Sequence, residues 1–214
     1  MNNVHKRGIM VTGIKTTERR NKLRLELIDA GEEILGKHGL DALTARAVAS
    51  SVGCSVGAIY NVFEDIDGLI IAVNSRTLAK LDQKISSFVP GGSCGLEPEE
   101  CLTGLAVAYC QFAIEHTSAW SALFEHGERI SRQIPDWHMD EHVHLVGHIV
   151  KSLRQLQPAI SDEENWQLAG LLFSAVHGVV SLGLQGFFFA VPQRRLEAQV
   201  SLLVRATLAG LKQH

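Results

Sequence analysis

Apolar residues recur at intervals of three and four positions along most of this chain, which is the spacing that places them on one face of an α-helix. No competing strand pattern is present, so we predict an all-α protein. Prolines at 135, 158 and 192 and the glycine-rich stretch 89–95 interrupt the pattern. Beyond residue 68, the predicted helices cover Leu69–Phe88, Pro98–His116, Ser118–Arg132, Asp140–Leu156, Asp162–Phe188 and Pro192–Lys212.

The segment 44–63 predicts two short helices joined by a tight turn. Thr44 and Ser55 carry hydroxyl groups that can cap the starts of the two helices. Gly53 lies between them, where a chain that turns sharply often needs a positive φ. The inward face of the first helix is predicted to consist of Ala45, Val48, Ala49 and Val52.

The second of these helices has small residues on its predicted outer face. Its inward stripe follows the spacing i, i+3, i+4 and i+7, and Gly57, Ala58 and Asn61 point away from it. Small outward residues let a helix approach another surface closely, and in a helix-turn-helix that surface is the major groove of DNA. An ordinary helical hairpin remains the alternative. The predicted inward stripe consists of Val56, Ile59, Tyr60 and Phe63.

The run from Asn21 to Ala72 resembles the N-terminal DNA-binding domain of TetR family transcriptional regulators. Cys54 and Val62 depart from the residues usual in that family, and Ile66 stands where many members have a lysine that contacts phosphate. The resemblance rests on a first helix with Ala30 and Ile34 inward, then Gly39, Leu43-Thr44, Val48-Ala49, Val52-Gly53, Ser55-x-Gly57-Ala58-Ile59-Tyr60, Phe63 and Gly68-Leu69.

The resemblance implies a three-helix DNA-binding domain, which we place at residues 17–68, and a helical effector-binding and dimerisation domain at residues 69–214. Arg46 is expected to contact a base edge or a phosphate, and Tyr60 is expected to donate its hydroxyl to a phosphate. The complete set of predicted DNA-binding residues is Arg20, Lys22, Thr44, Arg46, Ser55, Val56, Gly57, Ala58, Tyr60 and Asn61.

The charge distribution independently favours a nucleic-acid partner at the amino end. Residues 1–24 contain seven lysines and arginines against Glu18 alone, although the whole chain has a net charge of −3. A basic segment on an acidic protein can present positive charge to phosphates and release their counterions. Residues 1–16 are nevertheless predicted to be a disordered basic extension.

Composition argues against several other classes of protein. No apolar run follows the basic amino end, and we expect no segment long enough to span a bilayer, so the protein is predicted to be cytoplasmic with no membrane partner. The four cysteines lack the dense spacing of a secreted disulfide scaffold, and reduced thiols are expected.

The stretch Ala169–Val179 resembles the WHG-type ligand-binding domain of some TetR-like regulators. His177-Gly178 is retained, whereas Phe173 occupies the position of the tryptophan. Aromatic residues concentrate in this part of the chain beside few charges, which indicates an apolar cavity for a mainly hydrophobic small molecule. The predicted ligand-binding residues are Tyr109, Phe112, Trp120, Phe124, Phe173 and His177.

A histidine-rich segment suggests a second class of function. His138 and His142, and again His144 and His148, lie four residues apart on a predicted helix, and such pairs can chelate zinc. Because the two pairs do not share a face, we predict no metal site and no cofactor. A metal-binding helical protein or a hydrolase built on this cluster is kept as the alternative, although no nucleophile motif supports an enzyme.

Together these patterns predict a homodimeric, ligand-responsive transcriptional regulator, a repressor released from double-stranded operator DNA by a small hydrophobic inducer. The helices Ala169–Phe188 and Leu196–Leu211 are expected to pair across a two-fold axis as a four-helix bundle. The apolar stripe expected at that interface is Leu196, Val200, Leu203, Val204, Thr207, Leu208 and Leu211.

Overall fold

A computed structural model describes residues 4–87, 97–129, 134–186 and 192–211, with side chains described from Thr17 onward. The described residues form nine α-helices and no strand, which confirms the all-α prediction. Short 3-10 helices occur at Leu40–Ala42 and Gln193–Arg195. The helices are α1 (Val4–His38), α2 (Ala45–Val52), α3 (Val56–Tyr60), α4 (Ile66–Ser86), α5 (Pro98–Glu115), α6 (Thr117–Arg129), α7 (Asp136–Leu156), α8 (Asp162–Leu184) and α9 (Leu196–Leu211).

Several helix starts differ from the prediction. Helices α4 and α9 begin at Ile66 and Leu196 rather than at Leu69 and Pro192. Helix α7 begins at Asp136 rather than Asp140. Pro135 stands at its N-cap, and the helix does not extend further toward the amino end because the proline ring would clash with a preceding helical turn. Helix α1 begins at Val4, within the stretch 1–16 that was predicted to be disordered, and no proline interrupts that stretch. The glycine-rich segment 89–95 and residues 187–188 at the end of the predicted helix Asp162–Phe188 lie outside the described residues.

The chain divides into two compact units. The first comprises Met1–Asn74 and Ala122–Ile130, and the second comprises Ser75–Ser121 and Ser131–His214. Helices α4 and α6 each contribute to both units, so the boundaries between the units lie inside these helices.

The first unit is built around α1, α2 and α3, with α2 packed against both of the others. The predicted inward residue Ala30 is buried and Ile34 is only partly so, whereas Leu27 and Leu35 are fully buried. On α2, Val48 and Ala49 are buried. The end of α6 is fixed to α4 by the Asn74 side-chain amide, which donates to the Ala122 carbonyl at 3.3 Å, and by His126 and Asp67 at 3.2 Å.

The second unit is a helical bundle in which α5 packs against α7, α8 and α9. One face of α9, at the spacing i, i+4, i+8 and i+12, is fully buried within the single chain. It consists of Leu196, Val200, Val204 and Leu208. The prediction that these four residues form a dimer interface is therefore wrong, because α5 and α8 of the same chain already pack against α9.

The glycines in and just after α8 have different structural reasons. A Cβ atom on Gly183 would lie 2.6 Å from Cδ1 of Leu196, so this glycine permits the close approach of α9. Gly186, beyond the end of α8, has a φ of 66°, in the left-handed region that favours glycine. Within the described part of the chain, Gly178 has no neighbour within 4 Å of its Cβ position, so packing among these residues does not account for it.

Two features of the second unit differ from the expectations from sequence. Cys101 is disulfide-bonded, whereas Cys54 and Cys110 are free thiols. Helix α8 is long and apolar enough to cross a membrane by length and composition, since its charged residues all lie in its first turn. Helices of globular bundles also meet this criterion.

The close approach at Gly183 generates a test of the packing. Gly183→Ala is expected to lower the free energy of unfolding by about 1–3 kcal/mol, because Leu196 is fully buried and cannot move away without disturbing the core. Gly147→Ala on α7 is the matched control. Its Cβ would meet nothing within 4 Å, so alanine should stabilise that helix by up to about 1 kcal/mol. Urea unfolding at equal protein concentration measures both. Equal effects of the two substitutions would contradict the packing described here.

Candidate functional site

The turn between α2 and α3 has the local geometry that the sequence predicts. Gly53 adopts φ 75° and ψ 31°, which is the left-handed conformation, and ends α2. The Thr44 hydroxyl accepts a hydrogen bond from the Ala47 N–H, and the Ser55 hydroxyl accepts one from the Ala58 N–H, both at 3.2 Å. These caps satisfy backbone donors that have no partner inside the helices. The turn and both helix starts are thus defined by local chemistry.

Most of the residues predicted to contact DNA are exposed, on α3, at its two caps, and on α1 and α2. Ser55, Gly57 and Asn61 are exposed, and Val56 and Ala58 are partly so. Ile59 and Phe63 anchor the segment in the core, as predicted. Among the remaining predicted contacts, those exposed are Arg20, Lys22, Thr44 and Arg46.

Tyr60 was predicted to lie on the inward stripe and does not. Its side chain is 49% exposed, because α3 ends at this residue and the chain turns before the next helical position is reached. Val62 is buried instead, at 8% exposure. The exposed position leaves the Tyr60 side chain available to a partner. This agrees with its other predicted role, in which its hydroxyl donates a hydrogen bond to a DNA phosphate.

The outer surface of α3 has room that the chain itself does not use. Among the residues that the structure describes, a Cβ atom on Gly57 would meet only the Ser55 hydroxyl, at 3.8 Å, which is ordinary van der Waals contact. Intrachain packing therefore does not require a glycine here. A residue without a side chain at an exposed position is what a helix needs when its backbone approaches a groove closely.

Basic residues of α1 differ in how much of their charge is presented to solvent. The Arg20 guanidinium donates to the Val62 carbonyl at 3.4 Å, and the Arg24 guanidinium lies 4.6 Å from the centre of the Phe63 ring. Both residues therefore tie α1 to the chain that follows α3. Lys22 forms a loose, exposed ion pair with Glu26 at 3.8 Å.

Four of the six predicted ligand-binding residues meet in the second unit. Tyr109 of α5 has its ring centre 6.0 Å from Trp120 and 5.7 Å from Phe173, and both contacts are edge-on. The Tyr109 hydroxyl lies 2.8 Å from Nδ1 of His177. The His177 ring also stacks on Phe173, with 5.8 Å between centres. We call Tyr109, Trp120, Phe173 and His177 the aromatic cluster.

The ionisation of the aromatic cluster follows from its burial. Burial raises the pKa of Tyr109 and lowers the pKa of His177, so both groups are uncharged near neutral pH. The hydrogen bond between them supplies the polar partner that His177 needs. Tyr109 is thus the hydrogen-bond partner of His177 within the chain.

The two remaining predicted ligand-binding residues are Phe112 and Phe124. Phe112 of α5 is buried with its ring 4.7 Å from His116. Phe124 of α6 is partly exposed and belongs to the first unit. Both stay predictions, because helical spacing does not show which neighbour a ring faces.

A pocket of about 370 Å³ lies between α4 and α7, away from the predicted ligand-binding residues. Its walls combine apolar side chains with three carboxylates. Sequence reasoning missed this pocket, since it depends on how α4 and α7 pack. The lining residues are Ser75, Leu78, Ala79 and Asp82 of α4 and Trp137, Asp140, Glu141, His144 and Leu145 of α7.

The four histidines of α7 divide into two pairs, as their spacing predicts. His138 is buried, and its Nδ1 lies 3.0 Å from the Ser75 hydroxyl and 2.9 Å from Glu141. The ring centres of His138 and His142 are 5.0 Å apart. Burial lowers the pKa of His142, and its electrostatic interaction with His138 lowers it further. His144 and His148 instead face Asp82 of α4.

The fold and the capped turn define a class of protein, a helical DNA-binding regulator with a helix-turn-helix at one end of the chain. Two family models match the chain, and both agree with this class. Residues 27–73 match the family described as "Bacterial regulatory proteins, tetR family", and residues 102–207 match "Tetracyclin repressor-like, C-terminal domain". The chain belongs to the TetR family of transcriptional regulators.

Curated relatives agree with this assignment. The chain is 26% identical over 106 residues to the HTH-type transcriptional regulator BetI of Brucella suis, a match that covers 50% of this chain and 54% of the relative. The BetI regulator of Rhizobium meliloti matches at the same identity over 50% of this chain and 52% of its own. The match thus spans about half the length of these curated relatives.

Solved structures share the fold. A protein of unknown function from Rhodococcus sp. RHA1 has a TM-score of 0.67 at 21% identity, covering 85% of this chain and 93% of that one. A TetR transcriptional regulator from the same organism has a TM-score of 0.60 at 16% identity, covering 89% and 96%. These likenesses show that the chain shares its fold with these proteins.

Proposed function

We propose that this TetR family regulator is a homodimeric repressor that binds a two-fold operator through α3 and leaves it when a small apolar effector binds the second unit. The observation that carries the proposal is the exposed, small-sided face of α3 behind two side-chain caps and a left-handed glycine. That arrangement supports insertion into a major groove, with Arg46 and Tyr60 at its sides. BetI, to which the chain is related, is itself described as an HTH-type transcriptional regulator.

A dimer interface is supported by exposed apolar residues on α8 and α9. Leu171 and Leu182 of α8 are 62% and 50% exposed, and Leu202 of α9 is 68% exposed. Only 22% of the most apolar stretch of α8 is buried within the chain. Apolar surface on this scale is typical of an interface. We therefore place the proposed interface on these faces, opposite the buried stripe of α9 that the sequence suggested.

Dimerisation would set the geometry of operator binding. Two recognition helices related by a two-fold axis contact successive major grooves when they lie roughly 34–36 Å apart. An effector that binds better to a conformer with a different separation lowers operator affinity by that difference, typically about 1–3 kcal/mol. A second copy that covers α8 would also account for its apolar surface without a membrane. The proposed regulator is cytoplasmic and has no catalytic role.

The effector is proposed to act at the aromatic cluster. Phe173 and His177 are partly exposed while Tyr109 and Trp120 are buried, so an apolar molecule could pack on the open side of the cluster. The Tyr109 to His177 hydrogen bond would offer it one polar point of attachment.

Tyr60→Phe tests the DNA-binding face. Removal of the hydroxyl should weaken binding by about 1 kcal/mol, or roughly fivefold in Kd, since one phosphate hydrogen bond is lost. The operator is first selected from genomic fragments, and binding is then measured by mobility shift at fixed salt. Tyr109→Phe is the matched control, because Tyr109 is the other tyrosine and lies in the second unit. Unchanged affinity in Tyr60→Phe would contradict the phosphate role.

Leu202→Asp tests the dimer. The side chain is 68% exposed within one chain, so a monomer should fold, whereas a dimer would bury two unpaired carboxylates at its interface. Light scattering should show a monomer and mobility shift should show lost operator binding, with an unchanged circular dichroism spectrum. Val143→Asp on α7, 49% exposed, is the control. A dimer of normal affinity in Leu202→Asp would place the interface elsewhere. Val204→Asp cannot serve, because Val204 belongs to the core of the single chain.

Phe173→Trp tests the effector site. The larger ring should occupy the open side of the aromatic cluster and reduce the affinity for the apolar dye anilinonaphthalene sulfonate severalfold, with operator affinity unchanged. Trp137→Phe alters the pocket between α4 and α7 and serves as the comparison. If the dye is lost in Trp137→Phe and retained in Phe173→Trp, the α4 to α7 pocket is the apolar site and the proposal is wrong.

A further inference from the structure

Three metal-ligating side chains converge on one point between α4 and α7. Nε2 of His148 lies 2.9 Å from Oδ1 of Asp82, and Nε2 of His144 lies 3.5 Å from the same oxygen. One ligand atom from each of the three residues lies within 4.8 Å of those of the other two. A tetrahedral zinc ion with bonds of about 2.1 Å needs its ligand atoms roughly 3.4 Å apart. Small rotamer adjustments therefore suffice to place one ion between these atoms.

The geometry of α7 places two of these three side chains next to each other. His144 and His148 are four residues apart on α7, so one turn of helix places both rings on the same side, 5.3 Å between centres. Asp82 comes from a different helix, α4, and supplies the carboxylate. Two imidazoles and one carboxylate form a ligand set that suits zinc and neighbouring divalent transition metals.

The surroundings leave a coordination position open and favour positive charge. Asp82 and His144 line the pocket of about 370 Å³, which has room for water or an exogenous ligand as the fourth donor. Asp140 and Glu141 line the same pocket, so two further carboxylates lie near the proposed ion. His148 is 18% exposed and Asp82 33%, which shields two of the three ligands from bulk solvent.

We propose that Asp82, His144 and His148 form a binding site for one zinc-like divalent transition metal per chain. The site uses half of the histidine cluster of α7 and joins that helix to α4. It is independent of the DNA-binding and effector proposals, because none of its ligands belongs to α3 or to the aromatic cluster.

The other histidine pair does not complete such a site. Nδ1 of His138 is within hydrogen-bonding distance of both Ser75 and Glu141, and the ring is only 5% exposed. His142 faces the His138 ring. This pair provides a control on the same helix, with the same spacing and residue type.

Calorimetric titration of the full chain, produced without a histidine tag and freed of metal, tests the site with Zn²⁺ as the probe. One ion per chain should bind to the unaltered protein. His144→Ala should weaken binding more than about 100-fold, because losing a ligand costs more than the 10- to 100-fold typical of an outer partner. His144 is 67% exposed, so this variant is expected to fold.

Two further variants and two further ions sharpen the result. Asp82→Asn should weaken Zn²⁺ binding while keeping the shape of the side chain, and His142→Ala should leave it unchanged. Co²⁺ should give the visible absorption of a four-coordinate nitrogen and oxygen site, and Mg²⁺ should not bind, since imidazole is a poor ligand for it. Absence of Zn²⁺ binding, or equal binding in His144→Ala and His142→Ala, overturns the proposal.

Discussion

The presentation of α3 depends on the left-handed turn at Gly53. Residues other than glycine rarely adopt a φ of 75°, because their Cβ atom clashes with the backbone. Glycine at position 53 therefore lets α2 end there and α3 begin three residues later. Helix α3 has only five residues and would not persist as an isolated helix. It is held by the Ser55 cap at its start, by buried Ile59, and by Arg20 bound to the carbonyl of Val62 just beyond its end. These contacts hold the exposed face of α3 in its position on the first unit.

The second unit uses α9 in two ways. One face supplies Leu196 and three further fully buried residues to the core of the single chain, and Gly183 of α8 makes the close contact possible. Other positions of the same helix leave Leu202 in solvent. A helix with apolar residues on more than one face is expected where a chain has an internal core and also meets a second surface. This division separates substitutions that unfold the chain from those that would affect assembly.

Two groups of polar side chains in the second unit have different surroundings. The aromatic cluster contains the hydrogen bond between uncharged Tyr109 and His177, among packed rings. The cluster of Asp82, His144 and His148 lies at an open, acidic pocket. A hydrogen-bonded uncharged pair among aromatic rings suits an apolar molecule, whereas imidazoles beside carboxylates at an open pocket suit a cation. The same residue type, histidine, is therefore suited to different chemistry according to its neighbours.

The sequence by itself determined the features that depend on residues close along the chain. The helices, the caps at Thr44 and Ser55, the turn at Gly53 and the pairing of histidines on α7 all follow from spacing and local propensity. Only the tertiary structure decided the features that depend on contacts between distant segments. In the folded chain the stripe of α9 lies in the core, and Tyr60 is exposed. His177 contacts Tyr109, and Asp82 contacts the two histidines that lie 62 and 66 residues further along the chain, His144 and His148. Helical periodicity shows which residues share a face, but it does not show what that face meets, because the packing of helices is set by the whole chain.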